Sequence, residues 1–187
     1  MRTKTVKERL IETASDLFYK QGFNRTGINQ ILEESGVAKA SMYQNFRSKE
    51  ELGVAYLQRM DQQMMENLKA FLDEKEPGRD RVLGIFDFIE RIFHGENFRG
   101  CWSLNTLAEI PVDDEMMREE IVSQKNRFRL YLRRLIDENL EVHELDAISD
   151  KIYLLYEASL MESALFKSDL PIKRSREMAE LLLDWDV

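Results

Sequence analysis

Residues 22–52 read GFNRTGINQILEESGVAKASMYQNFRSKEEL, and this stretch predicts two short helices joined by a tight turn. Thr26 is the expected N-cap of the first helix, and Gly36 supplies its end. A second helix follows almost at once, over about residues 39–46. These dimensions are typical of a helix-turn-helix. The buried face of the first helix is predicted to consist of Ile28, Ile31 and Leu32.

The second helix has an apolar and a polar face. Met42 and Phe46, four residues apart, are expected to pack inward. The opposite face has small residues that permit close approach to a DNA groove, and Gln44 has the paired donor and acceptor that read an adenine edge. The alternative is that this face is merely solvated. The predicted DNA-binding residues are Thr26, Lys39, Ala40, Ser41, Tyr43, Gln44, Arg47, Ser48 and Lys49.

The sequence on either side of this stretch also predicts only helices. Just 3 Pro and 8 Gly interrupt 187 residues, and no alternating β-branched run is present. Capping boxes are expected where Thr5 precedes Glu8 and where Ser48 precedes Glu51. The fold class is therefore all-α. The nine predicted helices begin near Thr5, Thr26, Lys39, Ser48, Asp80, Trp102, Asp114, Asp146 and Pro171.

The charge is divided unevenly along the chain. The net charge of −8 by itself argues against a protein that binds nucleic acid. Residues 1–50, however, carry nine basic and six acidic side chains, a net +3, which leaves −11 for the other 137 residues. This asymmetry predicts two functions in one chain.

Residues 22–52 resemble the DNA-binding segment of the tetracycline-repressor (TetR) family of bacterial transcription regulators. Ala38 stands where a capping Ser or Thr is usual, and Asn45 where His is common. The matching positions are Gly22, Phe23, Thr26, Ile28, Ile31, Gly36, Val37, Tyr43, Phe46, Ser48, Lys49 and Glu50.

This resemblance implies a nine-helix, all-α homodimer whose residues 1–47 form a helix-turn-helix DNA-binding domain. Residues 48–187 would then form a ligand-sensing and dimerisation domain, in which 48–74 is the connector helix. The implied function is that of a repressor that releases a palindromic double-stranded DNA operator when a small-molecule inducer binds. We expect a tilt of the connector to change the separation of two recognition helices, which must be about 34–36 Å apart to meet successive major grooves.

The remaining helices are rich in Met and aromatic residues, which form a core more often than a pocket. The resemblance favours a pocket, and its candidate lining is Met64, Phe86, Phe93, Trp102, Asn105, Thr106, Phe128 and Tyr156. The segment around Cys101 resembles one in a branch of the family that includes sensors of electrophiles and oxidants, so Cys101 is a candidate redox sensor. A buried structural cysteine is the alternative. The last two helices have a wide apolar stripe that is expected to pair two copies in a four-helix bundle.

Other functional classes receive little support. The sequence has no phosphate-binding glycine loop, no GxSxG motif and no metal-spaced His and Cys set, so we expect neither an enzyme, a metal nor a cofactor. An acidic helical adaptor that binds another protein is the alternative. No apolar run predicts a secretory signal or a membrane span, and a cytoplasmic location is expected.

Overall fold

The computed structural model describes residues 4–185, except for the side chain of Trp185. Within that range it contains nine α-helices and no strand, which confirms the all-α fold class. None of the described helices is long and apolar enough to cross a membrane. The helices are α1 (Val6–Gln21), α2 (Ile28–Ser35), α3 (Lys39–Asn45), α4 (Lys49–Asp73), α5 (Arg79–Phe93), α6 (Trp102–Glu109), α7 (Glu115–Asn139), α8 (Leu145–Phe166) and α9 (Leu170–Trp185).

The helices form two compact units. Unit 1 contains the residues up to Gln63 together with Trp102–Gln124. Unit 2 contains Met64–Cys101 and the residues from Lys125 onward. Because the division falls inside α4 and α7, each unit includes a part of both helices. The predicted domains, residues 1–47 for DNA binding and 48–187 for sensing and dimerisation, are defined by function, whereas the two units are defined by packing. The predicted domain boundary therefore stays a prediction.

Unit 1 has a core to which helices distant in sequence contribute. Side chains of α1 to α4 are buried together with Ile110, Met117 and Ile121 from the second segment of the unit. The predicted inward residues of α3 belong to this core, since Met42 is fully buried and Phe46 is only 5% exposed. The helix-turn-helix is thus packed against α1, α4 and the residues around α6.

Both ends of α1 are defined by local contacts. The N–H of Glu8 donates to Thr5 Oγ1 at 3.2 Å, and the N–H of Thr5 donates to Glu8 Oε2 at 2.7 Å. This is the predicted capping box. A glycine at position 22 predicts a left-handed end for α1, but this prediction is wrong, because Gly22 has φ 102° and ψ 152°. The chain leaves α1 in an extended direction, because the next residues form a loop that packs on unit 1.

Unit 2 is built around α5, α8 and α9, which contact one another. The middle of α5 is buried almost all round, as expected for a helix inside a bundle. Tyr156 and Ile152 of α8 and Ile172 of α9 are buried as well. The two units therefore have separate hydrophobic cores.

Candidate DNA-binding surface and sensor residues

The turn between α2 and α3 is fixed by backbone geometry. Gly36 adopts the left-handed conformation, with φ 63° and ψ 31°, which glycine tolerates better than other residues. The N–H of Val37 donates to the carbonyl of Leu32 at 3.1 Å and closes the end of α2. From α1, Arg9 Nη1 donates to the carbonyl of Ser35 at 3.2 Å. These contacts set the direction in which α3 begins.

The polar face of α3 points away from the core. Tyr43 is 47% exposed, although Met42, its neighbour in sequence, is fully buried. The start of α3 has no side-chain cap, since Ala38 occupies the N-cap position. Among the predicted DNA-binding residues, the structure leaves these exposed on or just after α3: Lys39, Ala40, Tyr43, Gln44 and Arg47, while Ser41 is half-buried.

Thr26 does not occupy the position that its sequence context predicts. The N-cap of α2 is Gly27, and no side chain caps this helix, so the prediction of a Thr26 cap was wrong. The Thr26 side chain is buried and its hydroxyl donates to the carbonyl of Gly22 at 2.7 Å. It also accepts from Gln21 Nε2 at 3.1 Å. A buried hydroxyl needs partners, and here the end of α1 supplies them. In this conformation the Thr26 side chain joins the loop to the end of α1, and its assignment to the DNA-binding residues stays a prediction.

The start of α4 also differs from its prediction. Ser48 Oγ accepts from the N–H of Glu51 at 3.1 Å, but the Glu51 carboxylate accepts from the N–H of Arg47 at 2.7 Å rather than from Ser48. The predicted capping box is therefore only half formed. Lys49 is half-buried, with its ammonium 4.3 Å from the centre of the Phe23 ring. Burial lowers the pKa of Lys49, and the neighbouring acidic groups offset this only in part.

The candidate pocket residues fall into both units. In unit 1, Thr106 is buried while Trp102 and Asn105 are half-buried. In unit 2, the structure brings Phe128 and Tyr156 into ring contact, with centroids 4.6 Å apart. The other candidates in unit 2 are the buried Phe86 and the half-buried Met64 and Phe93.

The aromatic contacts of unit 2 include residues that sequence reasoning missed. Tyr153 lies 6.2 Å from Phe128, centroid to centroid, and the Arg129 guanidinium lies 3.9 Å from the Tyr153 ring centre. Burial raises the pKa of Tyr131 to about 12, and it raises the pKa of Tyr156 well above its ordinary value. These phenols therefore stay protonated at neutral pH and can donate hydrogen bonds.

Cys101 is 2% exposed and lies beside a lysine that sequence reasoning also missed. Lys125 Nζ is 3.0 Å from Cys101 Sγ and 2.6 Å from Glu157 Oε1. Burial acts to lower the pKa of Lys125, but the charges of Cys101 and Glu157 outweigh it, so this pKa is raised. The ammonium thus keeps its proton next to the sulfur. A charged residue on the inner side of an otherwise amphipathic helix was the only sequence signal for this pair.

Six buried side-chain polar atoms have no hydrogen-bond partner among the described residues: Trp102 Nε1 and Asp114 Oδ2 in unit 1, and Arg79 Nε, Arg81 Nε, Glu157 Oε2 and Ser163 Oγ in unit 2. Buried polar atoms are nearly always paired, so an atom of this kind can bind either a water molecule or a polar group of a bound molecule.

One group of potential metal ligands lies at the surface of unit 2. Glu90, His94 and Asp169 each offer a ligand atom within 4.8 Å of the others. Lys173, however, lies 2.7 Å from Asp169 and 3.5 Å from Glu90, so an ammonium of the protein already forms ion pairs with both carboxylates. The hydrogen bond from Lys173 lowers the pKa of Asp169. This group is therefore explained as an ion-pair cluster.

An open apolar groove runs along α8 and α9. Leu154 is 60% exposed and Leu181 58% exposed, which is unusual for side chains of this size. Other apolar residues of the stripe predicted on the last two helices, namely Ile152, Tyr156 and Leu160, are buried inside unit 2, and the Trp185 side chain lies outside the described residues. The groove is lined by Ile148, Lys151, Leu154, Leu155, Ala158, Met178, Leu181 and Leu182.

Comparisons with known proteins agree with this architecture. Residues 10–56 match the family described as bacterial regulatory proteins, tetR family. The transcriptional repressor NemR of Escherichia coli is 28% identical over 178 residues, which cover 94% of this chain and 87% of the relative. A TetR-family regulator from Streptomyces coelicolor has a TM-score of 0.87 at 24% identity, covering 98% of this chain and 91% of its own. The reduced form of E. coli NemR has a TM-score of 0.83 at 23% identity, covering 96% and 97%.

Proposed function

Because this chain belongs to the tetR family of bacterial regulatory proteins, we propose that it is a cytoplasmic, ligand-responsive repressor that binds a palindromic DNA operator as a homodimer. The family and its relatives are transcriptional regulators, which is a non-enzymatic class. Residues 1–47 are the proposed DNA-binding domain, and residues 48–187 the proposed sensing and dimerisation domain.

The observation that carries this proposal is the exposed polar face of α3. The turn at Gly36 and the burial of Met42 place α3 with Tyr43, Gln44 and Lys39 exposed. A major groove accepts a helix, and Gln44 can read a base edge while Tyr43 and Lys39 contact phosphates. Arg47 follows α3 and adds a positive charge at the same surface. Lys49 and Thr26 are not included in this surface, because their side chains have partners within unit 1.

Selection of duplexes from a random-sequence pool tests this proposal. The intact protein should enrich a palindromic sequence, and its affinity for that duplex should fall steeply with rising salt, because phosphate contacts release counterions. An acidic adaptor would enrich no duplex even at low salt. A matched duplex with one half-site scrambled serves as the control for sequence-specific binding.

The proposed homodimer rests on the groove along α8 and α9. Exposed leucines are unfavourable in water, at about 25 cal/mol per Å² of apolar surface. A second copy, related by a twofold axis, would present the same apolar surface, so each copy would cover the groove of the other. Dimerisation also sets the spacing of two recognition helices, which a palindromic operator requires.

A small-molecule inducer is the proposed effector. The support is the set of aromatic contacts around Phe128 and Tyr156 and the unpartnered buried atoms of Glu157 and Ser163. A ligand lowers operator affinity only if it prefers a state that DNA disfavours. Operator affinity measured with and without each candidate compound tests this, and unchanged affinity at saturation rules that compound out.

A thiol-reactive effector is a second candidate, favoured by Lys125. A lysine ammonium 3.0 Å from Cys101 Sγ stabilises the thiolate, which is the form that attacks an electrophile. Iodoacetamide should alkylate Cys101 and release the operator. Equal release by the Cys101→Ser variant would contradict this role. A Lys125→Met variant, in which the thiolate loses its partner, should be alkylated more slowly when followed by mass spectrometry.

A further inference from the structure

We propose that the seam between α7 and α8 is a gate to the interior of unit 2, closed by side chains and opened to admit a small molecule. The inference deepens the proposed function, because it rests on an effector that enters this unit. All seam residues lie in unit 2. The seam consists of the charged and aromatic residues that face each other across the two helices, namely Lys125, Arg129 and Arg133 of α7 and Asp146, Asp150, Tyr153 and Glu157 of α8.

Three ion pairs join the two helices. Their basic partners are four residues apart in sequence and therefore lie on one face of α7. The pairs are Lys125–Glu157, Arg129–Asp150 and Arg133–Asp146. Positions rise along α7 while they fall along α8, so the helices face each other in antiparallel register. Long, flexible side chains thus bridge α7 and α8 on this side of the unit.

The ion pairs become more buried toward one end of the seam. The side chains of Arg133 and Asp146 are 43% and 83% exposed, whereas those of Lys125 and Glu157 are 18% and 13% exposed. Exposed ion pairs contribute little to stability, because water and salt screen them. The exposed end can therefore open at low cost, and the buried end closes off the interior.

An aromatic layer lies beneath the middle of the seam. The Arg129 guanidinium lies 3.9 Å from the Tyr153 ring centre, a cation–π contact. The Tyr153 ring is in turn 6.2 Å from Phe128, which contacts Tyr156 at 4.6 Å between centroids. Arg129 thus covers the outer ring of the aromatic contacts that are proposed to bind an inducer. Movement of Arg129 away from Asp150 uncovers this layer.

Cys101 lies at the buried end of the seam and can report its opening. Its sulfur is 3.0 Å from Lys125 Nζ, and the residue is 2% exposed. Just before it the backbone is pressed onto α8, since a Cβ atom at Gly100 would lie 3.0 Å from Ala164 Cβ and 3.1 Å from the Leu160 carbonyl oxygen. A reagent therefore reaches the sulfur by displacing the flexible Lys125 rather than the backbone of α8. Cys101 is the only cysteine of the chain, so its alkylation measures this access.

Two polar atoms of unit 2 also indicate that the interior can receive a polar molecule. Ser163 is fully buried, and its Oγ has no hydrogen-bond partner among the described residues. The same is true of Glu157 Oε2, at the buried end of the seam. Buried polar atoms are nearly always paired, so water or a polar group of an entering molecule would satisfy them.

The rate at which iodoacetamide alkylates Cys101 in the intact protein, followed by mass spectrometry, tests the gate. Rates are compared on the plateau at high pH, where the thiol is ionised, so that a change in its pKa does not alter them. Arg129→Met removes one ion pair and the contact with Tyr153, and it should raise the rate about two- to fivefold. Arg129→Met combined with Arg133→Met should raise it about tenfold. The parent's rate should increase with sodium chloride, and that of the double variant should not, because salt screens exposed ion pairs.

Two matched variants serve as controls. Arg129→Lys keeps a positive charge opposite Asp150 and should stay within about twofold of the parent's rate. Arg174→Met removes the exposed ion pair with Glu177 of α9, in the same unit but outside the seam, and should leave the rate unchanged.

The proposal is overturned if Arg129→Met and the double variant react at the parent's rate, or if either control matches their increase. Failure of iodoacetamide to alkylate any of the seam variants also overturns it. If Cys101 is alkylated while the operator stays bound, the proposed thiol-reactive effector fails and the gate does not, so the two failures are distinguishable.

Discussion

The exposed face of α3 and the exposed groove of α8 and α9 are opposite in chemistry. Tyr43 on α3 is 47% exposed among small and polar neighbours, whereas Leu154 on α8 is 60% exposed among other apolar side chains. A polar face has little to gain from an apolar partner, but it can form hydrogen bonds with bases and phosphates. An apolar face gains by being covered. One chain thus presents two surfaces, each suited to a different partner.

The largest effect is expected from Tyr43→Ala, which changes only the polar surface. Operator binding should fall below detection, because a dimer loses the contact twice and each base or phosphate contact is worth about 1–3 kcal/mol. The oligomeric state should be unchanged in light scattering, because α3 is not part of the groove. Retained binding would contradict the placement of the recognition helix.

Leu154→Glu tests the apolar surface. A carboxylate in the proposed interface should give monomers in sedimentation analysis and weaken operator binding by about 100-fold or more, since the second half-site no longer binds within one complex. Leu130→Glu is the control, because Leu130 on α7 is 55% exposed and does not line the groove. If Leu154→Glu remains dimeric, the groove is not the interface.

Met42→Ala separates the support of the recognition helix from its surface. Removing a fully buried methionine side chain should lower the free energy of unfolding by about 2–5 kcal/mol, measured by urea denaturation. Tyr43→Ala, on the exposed face, should change it by less than about 1 kcal/mol. Equal destabilisation by the two variants would show that α3 is not packed as described.

The smallest effect is expected from Thr5→Ala. The variant loses the acceptor for the N–H of Glu8 and should be destabilised by about 1 kcal/mol, again by urea denaturation. Neither surface is touched, so operator affinity and oligomeric state should be those of the parent. A change in either property would link the start of α1 to one of the two surfaces.

Local contacts were predictable from the sequence only in part, and contacts between distant segments were not predicted. The capping box at Thr5 and Glu8 was predicted correctly because both partners lie within one turn of helix. Thr26 has the same residue type, yet its hydroxyl donates to the carbonyl of Gly22 and accepts from Gln21 instead of capping α2, because the fold buries it beside the end of α1. The sequence did not reveal the pairing of Cys101 with Lys125, since 24 residues separate them along the chain.

The sequence by itself determined the all-α fold, the helix-turn-helix and the inward direction of Met42, because apolar spacing, capping residues and glycine turns act within a few residues. Tertiary structure decided which side chains remain available to a partner. It buried Thr26, held Lys49 on the Phe23 ring, left Leu154 exposed and brought Lys125 to Cys101. The physical reason is that burial and hydrogen-bond competition depend on the segments that pack together, which no local pattern specifies.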